Sequence, residues 1–273
     1  MHITDIINKG RPTFSFEFFP PKSERASESL FETIKDLESL APSYVSITYG
    51  AGGTTRERTH DLVEKILEKT TLIPIPHLTC VQHTEEEISN ILKRYSHKGI
   101  SNILALRGDN PKGDAQYDRS KDSFCFARDL VEFIRNFDNS TLDKKSKSFG
   151  IGVAGFPEGH PETPNRIKEM DHLKAKVDSG ADYICTQLFF DNHDFFDFRD
   201  RCELAGINIP IIAGIMPVTS ISGMQRMADL AAGSRFPAKL LKSIDRCNLD
   251  SSAVERVGIQ YATEQCSDLL NNG

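Results

Sequence analysis

The chain has 273 residues, 38% of them hydrophobic and 26% charged, with a net charge of −6 and a pI near 5.8. No basic block exists beyond Lys144-Lys145-Ser146-Lys147, which argues against nucleic acid as a partner, and no apolar run approaches the length of a membrane span. Met1-His2-Ile3-Thr4-Asp5 lacks the basic-then-apolar pattern of a signal peptide, and six cysteines without a CxxC pair point to reduced thiols in a cytoplasmic protein rather than to disulfides or zinc.

The first predicted strand lies over Phe14–Phe18, within Thr13-Phe14-Ser15-Phe16-Glu17-Phe18-Phe19. Alternation puts Phe14, Phe16 and Phe18 on one face and Ser15, Glu17 and Phe19 on the other. Pro20-Pro21 stops the strand, since proline lacks the ladder donor. Glu17 therefore stands near the strand's C-terminal end among rings. Burial there raises a carboxyl pKa and keeps the group protonated, the state a general acid needs. The alternative is an edge strand with Glu17 in water.

Further strands are predicted at Tyr44–Tyr49, Ile75–Cys80, Asn102–Arg107, Phe149–Ala154, Tyr183–Phe190 and Pro210–Met216. Helical patterns separate them: Ser27–Leu40, Glu86–Tyr95 behind the capping box Thr84-Glu85-Glu86-Glu87, Asp122–Phe137 and Pro164–Ser179, with Gly99 and Gly180 as helix stops. Asp109–Asp122 reads as a long loop after a strand, and Asp138–Ser148 as a polar surface loop. Strands alternating singly with helices imply a parallel sheet, and the repeat predicts an α/β fold of the (β/α)8 TIM-barrel type, one domain over residues 1–273. No GxGxxG follows any strand, which disfavours a dinucleotide-binding doubly wound sheet. After Met216 only helical stretches remain, around Gly223–Ala232, Pro237–Cys247 and Ala253–Leu270, so the eighth strand is missing from the expected set.

In such a barrel the C-terminal strand ends form the active rim. Here they carry Glu17, then Thr48-Tyr49-Gly50-Ala51-Gly52-Gly53, His77, Arg107-Gly108-Asp109, Phe156 through His160, Gln187 and Gly214–Val218. Any one of these residues is as readily structural as functional. Seven polar segments on one rim are hard to explain as stability devices. The helix after the fifth strand places Glu169, His172 and Lys176 at i, i+3 and i+7, a shared face suited to phosphate and sugar hydroxyls or merely to water. HExxH, GxSxG and paired histidine–carboxylate sets are absent, so neither a metal site nor a serine nucleophile is expected.

Seven segments in order make the chain resemble the methylenetetrahydrofolate reductase family: FSFEFFPPK at 14–22, VSITYGAGG at 45–53, PHLTC at 76–80, LALRGD at 104–109, HPE at 160–162, KVDSGADYICTQLFFD at 176–191 and GIMPV at 214–218. The resemblance implies a barrel that binds FAD noncovalently. It implies reduction of 5,10-methylenetetrahydrofolate with NADH or NADPH by a ping-pong mechanism, in one-carbon metabolism and methionine biosynthesis, by a homo-oligomeric enzyme. It implies Glu17 as the general acid and Asp109 as the carboxylate beside flavin and substrate, with Gln187 contacting folate. By the same carry-over, Thr48, Tyr49, Ala51, His77, Arg107, Gly108, Asp109, Ala127, Phe156, His160, Glu169, His172 and Lys176 match flavin-binding positions. Three departures stand out. Phe156 replaces a tyrosine of some members, and Glu169 replaces a more frequent aspartate. A last strand carrying His-Phe-Tyr-Thr-Leu-Asn has no counterpart. Two other readings of the rim remain open: a different barrel enzyme, such as a lyase or a pterin-binding methyltransferase, or a non-catalytic flavin-binding remnant.

Overall fold

The computed structural model describes residues 1–7, 10–49, 53–111, 116–141, 148–231 and 234–272. The fold class is α/β of the TIM-barrel type, with seven strands alternating with helices in chain order. The chain divides into two compact units, one of Met1–Val153 with Lys176–Asp182, the other of Ala154–Ala175 with Tyr183–Gly273.

The first unit opens with a short helix α1 (Ile3–Ile7). It continues through β1 (Ser15–Phe18), α2 (Glu24–Glu38), β2 (Tyr44–Ile47), α3 (Gly53–Lys69), β3 (Pro74–Thr79), α4 (Glu85–Lys98), β4 (Asn102–Leu106) and α5 (Ala127–Thr141) into β5 (Gly150–Gly155). These strands pair in parallel in chain order, with Glu17 opposite Ser46, Ser46 opposite Ile75, and His77 opposite Leu104. Near-continuous apolar strands follow from burial on both faces. Val45, Ile47, Ile75, Leu78, Ile103, Ile151 and Val153 are buried, and Ile34, Val63, Ile66, Leu92, Leu130 and Ile134 from the helices join them in the core. The Thr84 capping box forms as expected. The Thr84 hydroxyl accepts from Glu87 N, and the Glu87 carboxylate accepts from Thr84 N. Gly99 ends α4 at φ 80°, a left-handed conformation that glycine enters without a steric cost.

The second unit holds most of α6 (Arg166–Asp178), then β6 (Tyr183–Thr186), α7 (Asn192–Leu204), β7 (Ile211–Ile212), α8 (Ile221–Leu230), α9 (Ala238–Asp245) and α10 (Ser251–Asn272). β6 and β7 are parallel, with Ile184 opposite Ile211. Phe190, Val218, Met227, Leu240, Ile244 and Val254 form one apolar cluster. No eighth strand occurs among the described residues; helices alone follow β7.

Several boundaries differ from expectation. β6 stops at Thr186 rather than Phe190, because the Gln187 side chain accepts a hydrogen bond from Leu188 N and takes that donor off the strand pattern. β7 shrinks to two residues, since Gly214 N donates to the Thr186 hydroxyl instead of a strand carbonyl. α5 begins at Ala127, where the Asp129 carboxylate accepts from Cys125 N and Phe126 N, and it runs to Thr141, inside the stretch expected to be a loop. Lys144, Lys145 and Lys147 lie outside the described residues. None of the helices is long and apolar enough to cross a membrane among the residues described.

Candidate active site

The predicted site residues fall into two sets, one on each compact unit, apart from Lys176. In the first unit they gather at the C-terminal ends of β1 to β4. Glu17 points from β1 toward Ser46, whose hydroxyl donates to the carboxylate at 3.1 Å. On the far side of β2, His77 Nε2 stands 3.3 Å from the same carboxylate oxygen. The His77 side chain is 7% exposed and that of Glu17 46%.

This corrects the expected protonation of Glu17. Burial by itself pushes the carboxyl pKa up, but the His77 contact, the His77 charge and the Ser46 hydroxyl together outweigh it, so the pKa lies below the ordinary glutamate value. The rings of β1 also surround Glu17 less than alternation implied. Phe14 precedes the strand and is 49% exposed, Phe16 is half-buried, and Phe18 alone is buried.

Thr48 follows β2 and its N–H donates to the Phe18 carbonyl, while its own carbonyl accepts from the Thr59 hydroxyl. Tyr49 is half-buried and its hydroxyl meets His83 Nε2 at 3.1 Å. Behind it, His60 Nδ1 meets the Tyr95 hydroxyl at 2.7 Å. Burial and the nearby Arg56 push the His83 pKa down to about 4, and burial with Arg94 lowers that of His60, so both rings are neutral at pH 7. Ala51 lies outside the described residues, as do Gly50 and Gly52.

The Arg107-Gly108-Asp109 segment leaves β4 as a turn. Gly108 has φ 78°, and a Cβ there would come within 3.0 Å of Thr79 Cβ, so only glycine fits without displacement. Arg119 fastens the turn, donating to the carbonyls of Arg107 at 3.3 Å and Gly108 at 3.0 Å and to the Asn110 side chain at 2.7 Å. Asp109 is left exposed at the tip. Ala127 is buried at the start of α5.

In the second unit Phe156 and His160 pack edge to face with centroids 4.6 Å apart, and His160 Nδ1 accepts from Glu162 N. Gln187 N donates to the Gly155 carbonyl at 2.8 Å, which places the side chain at the end of β6. The expected shared face of α6 divides. Glu169 is buried, 3.9 Å from Arg201 Nη1, whereas His172 is exposed and Lys176, in the last turn, is half-buried. The helix packs the Glu169 and Leu173 side onto its neighbours and turns His172 outward.

Sequence reasoning missed three residues that shape the first set. Ser46 was visible only as an alternating position of its motif, and its role needs the β1–β2 register. Arg119 opens a 3-10 turn, Arg119–Lys121, too short to leave a periodic pattern, and His83 follows a strand with no distinguishing neighbour. Within the first unit, Gly108 has the left-handed backbone that glycine adopts without a steric cost.

Comparison with known proteins identifies the family. Residues 2–273 match the family model described as methylenetetrahydrofolate reductase. The chain is 39% identical over 280 residues to methylenetetrahydrofolate reductase (NADH) 1 of Arabidopsis thaliana, covering 99% of this chain and 46% of that protein. It is 38% identical over 265 residues to 5,10-methylenetetrahydrofolate reductase of Escherichia coli, covering 97% and 84%. The chain thus spans about half the length of the plant relatives and most of the bacterial one. Among solved structures, a Clostridium thermocellum protein that binds two copies of 5-methyl-5,6,7,8-tetrahydrofolic acid superposes with a TM-score of 0.67 at 14% identity, over 99% of this chain and 88% of that one, a likeness of fold alone. With a family model matched from residue 2 to residue 273 and relatives near 40% identity on the same segments, this chain belongs to the methylenetetrahydrofolate reductase family.

Proposed function

We propose that the chain reduces 5,10-methylenetetrahydrofolate to 5-methyltetrahydrofolate by a ping-pong mechanism. NADH or NADPH is the reductant, and noncovalent FAD is the carrier. Family membership supports the reaction, and the names of the plant relatives favour NADH. When bound, FAD would supply the hydride-transfer chemistry that links the nicotinamide to the folate.

The chain's residues do the rest. By the family resemblance, Arg107, His160, His172 and Lys176 are proposed as phosphate donors; Glu169, expected at a sugar hydroxyl, is buried near Arg201 and would have to be uncovered to serve there. Thr48, Tyr49, Ala51, His77, Gly108, Ala127 and Phe156 complete the binding surface. Gln187 orients the folate. Opening the five-membered folate ring to an iminium ion requires protonation of a weakly basic nitrogen, the role this reading gives Glu17. Asp109 would offer a carboxylate to the developing iminium cation. The six free thiols fit a cytoplasmic enzyme of methionine biosynthesis, acting as a homo-oligomer.

One observation carries this reading. Glu17 stands at a strand end with a hydroxyl and an imidazole on its carboxylate and nearly half its side chain open to a ligand. The full chain loaded with FAD and desalted should be yellow. Glu17→Gln should keep the flavin and its bleaching by a reduced nicotinamide, and should slow reoxidation by methylenetetrahydrofolate by about 10²–10⁴-fold. Equal slowing of both half-reactions would make Glu17 a structural residue and remove the basis of the mechanism.

A further inference from the structure

Arg119 lies outside every segment that carries the family resemblance, yet it grips the turn that follows β4. Its Nη1 donates to the Arg107 carbonyl at 3.3 Å, and its Nη2 donates to the Gly108 carbonyl at 3.0 Å and to the Asn110 side chain at 2.7 Å. A planar guanidinium fork holds two adjacent carbonyls and a further acceptor in one geometry, which an ammonium on a flexible stem does not. Arg119 is itself held in place. Its carbonyl accepts from Asp122 N at 3.1 Å, and Asp118 caps the short helical turn by accepting from Ser120 N at 3.1 Å. The Tyr117 hydroxyl donates to Asp122, and the Tyr117 ring centre lies 5.9 Å from the guanidinium carbon.

The consequence falls on Asp109. A trans peptide is planar, so its carbonyl and its N–H point in opposite directions. With both carbonyls drawn to Arg119, the N–H groups of Gly108 and Asp109 face away from it. Gly108 permits this bend at φ 78°. Asp109 is exposed, so the direction of its main chain is what aims the side chain. We propose that Arg119 is the positioning residue for Asp109: it fixes the peptide planes of the turn and so the direction in which the carboxylate is presented to a ligand. The role of that carboxylate rests on the function proposed above; the fastening of the turn does not. Without Arg119 the two carbonyls turn to water, the peptide planes rotate, and Asp109 is aimed correctly in only a fraction of molecules. A misplacement of about 1 Å can cost about 10²-fold in rate.

The first measurement needs neither cofactor nor turnover. Arg107-Gly108 is the only Arg-Gly pair in the sequence, so carbonyl-13C arginine combined with 15N glycine gives a single correlated NMR signal, from that peptide bond. Arg119→Met keeps the apolar stem and removes the donors. The carbonyl signal should move upfield as its hydrogen bond is lost, and in Arg119→Lys it should move less. A signal that stays in place in Arg119→Met overturns the proposal. If Arg119→Met does not fold, a signal that stays in place in Arg119→Lys overturns it instead.

The second measurement follows the two half-reactions in the full chain loaded with FAD. Arg119→Met should slow reoxidation by methylenetetrahydrofolate by about 10–100-fold. It should move the flavin potential in the same direction as Asp109→Asn, and by less. Arg119→Lys should recover part of both effects. In the Asp109→Asn background Arg119→Met should add little further slowing, because the group it aims is already gone. Losses that multiply in the double variant overturn the proposal, since Arg119 would then act through something other than Asp109. If Asp109→Asn alone changes neither half-reaction nor potential while the Arg107 carbonyl signal moves, the role given to Asp109 fails and the positioning with it, and the fastened turn remains as structure.

Discussion

Gly258 in α10 presses so closely on Val218 that a Cβ built on the glycine would stand 1.7 Å from the Val218 carbonyl oxygen. Val218 is buried and ends the GIMPV segment after β7, and Val254 and Ala262, one turn to either side of Gly258, are buried as well. The helix is therefore seated by backbone contact. Gly258→Ala gains about 1 kcal/mol of helix propensity, but it must push α10 off the segment, and overpacking of this kind costs about 1–3 kcal/mol or more. The expected result is a net loss of stability and a lower urea midpoint. An unchanged midpoint would mean that α10 can slide without cost.

Arg135 is a second fastening point. Its guanidinium donates to the carbonyls of Gly180 at 2.6 and 2.9 Å and Phe149 at 2.5 Å, and it pairs with Asp182 at 2.5 Å. Asp182 also accepts from Ile151 N at 2.7 Å, so the network joins α5, the start of β5 and the turn after α6. Arg135→Met should leave two carbonyls and a carboxylate short of donors, at about 2–3 kcal/mol, with both partners mostly shielded. Asp182→Asn should cost less, since Arg135 keeps its carbonyls. Chemical denaturation of both variants checks the order; a larger loss in Asp182→Asn would put the weight on the Ile151 contact instead.

Alternation and turn residues made most of the strands legible, because a parallel strand buried on two faces writes itself as an apolar run. β6 and β7 were read too long for the same reason. Phe189 and Phe190 are buried without being in a strand, and an apolar run cannot say which kind of backbone carries it. α7 was missed although Phe195, Phe198 and Cys202 are spaced by three and four and are buried. α1 offers five residues and too little pattern to detect. The site was legible as a set of strand ends, but its electrostatics were not. The state of Glu17 depends on Ser46 and His77, residues 29 and 60 positions away in the numbering, brought beside it by register. The glycine of the Arg107-Gly108-Asp109 turn was readable as permissive backbone. That Arg119 would hold the turn was not, since nothing in a loop sequence names the carbonyls it will meet.

The buried His83 makes stability pH-dependent. Its folded pKa is about 4 against 6.5 for a free histidine, so the unfolded chain binds more protons between these values. Stability therefore rises with pH across that window and is lost as pH falls from 6.5 toward 4. Linkage gives about 2 kcal/mol lost from this group between pH 7 and pH 5. His83→Gln retains an acceptor for the Tyr49 hydroxyl and cannot titrate. Its stability at pH 7 should be lower than wild type, and its fall between pH 7 and 5 should be smaller. An equal fall in the two proteins, measured by urea denaturation at both pH values, would place the pH dependence on other groups such as His60.

Asp109 is exposed at the tip of a turn that Gly108 permits and Arg119 anchors, so replacing its side chain should leave the backbone in place. Under the proposed function its negative charge favours the folate iminium cation and disfavours negative charge on reduced flavin. Asp109→Asn removes the charge and keeps the size. The bound flavin should become easier to reduce, by an amount on the order of tens of mV if this exposed charge neighbours the ring as proposed. Folate reduction should slow on the order of 10²-fold, the scale of a lost transition-state charge contact. The two effects have opposite signs for the enzyme, faster flavin reduction and slower reoxidation, which separates them from a general loss of folding. Dye equilibration measures the potential and single-turnover mixing measures the two rates. If the potential is unmoved while folate reduction slows, Asp109 serves the substrate alone; if neither moves, the turn lies away from the reacting ring and the assignment of Asp109 fails.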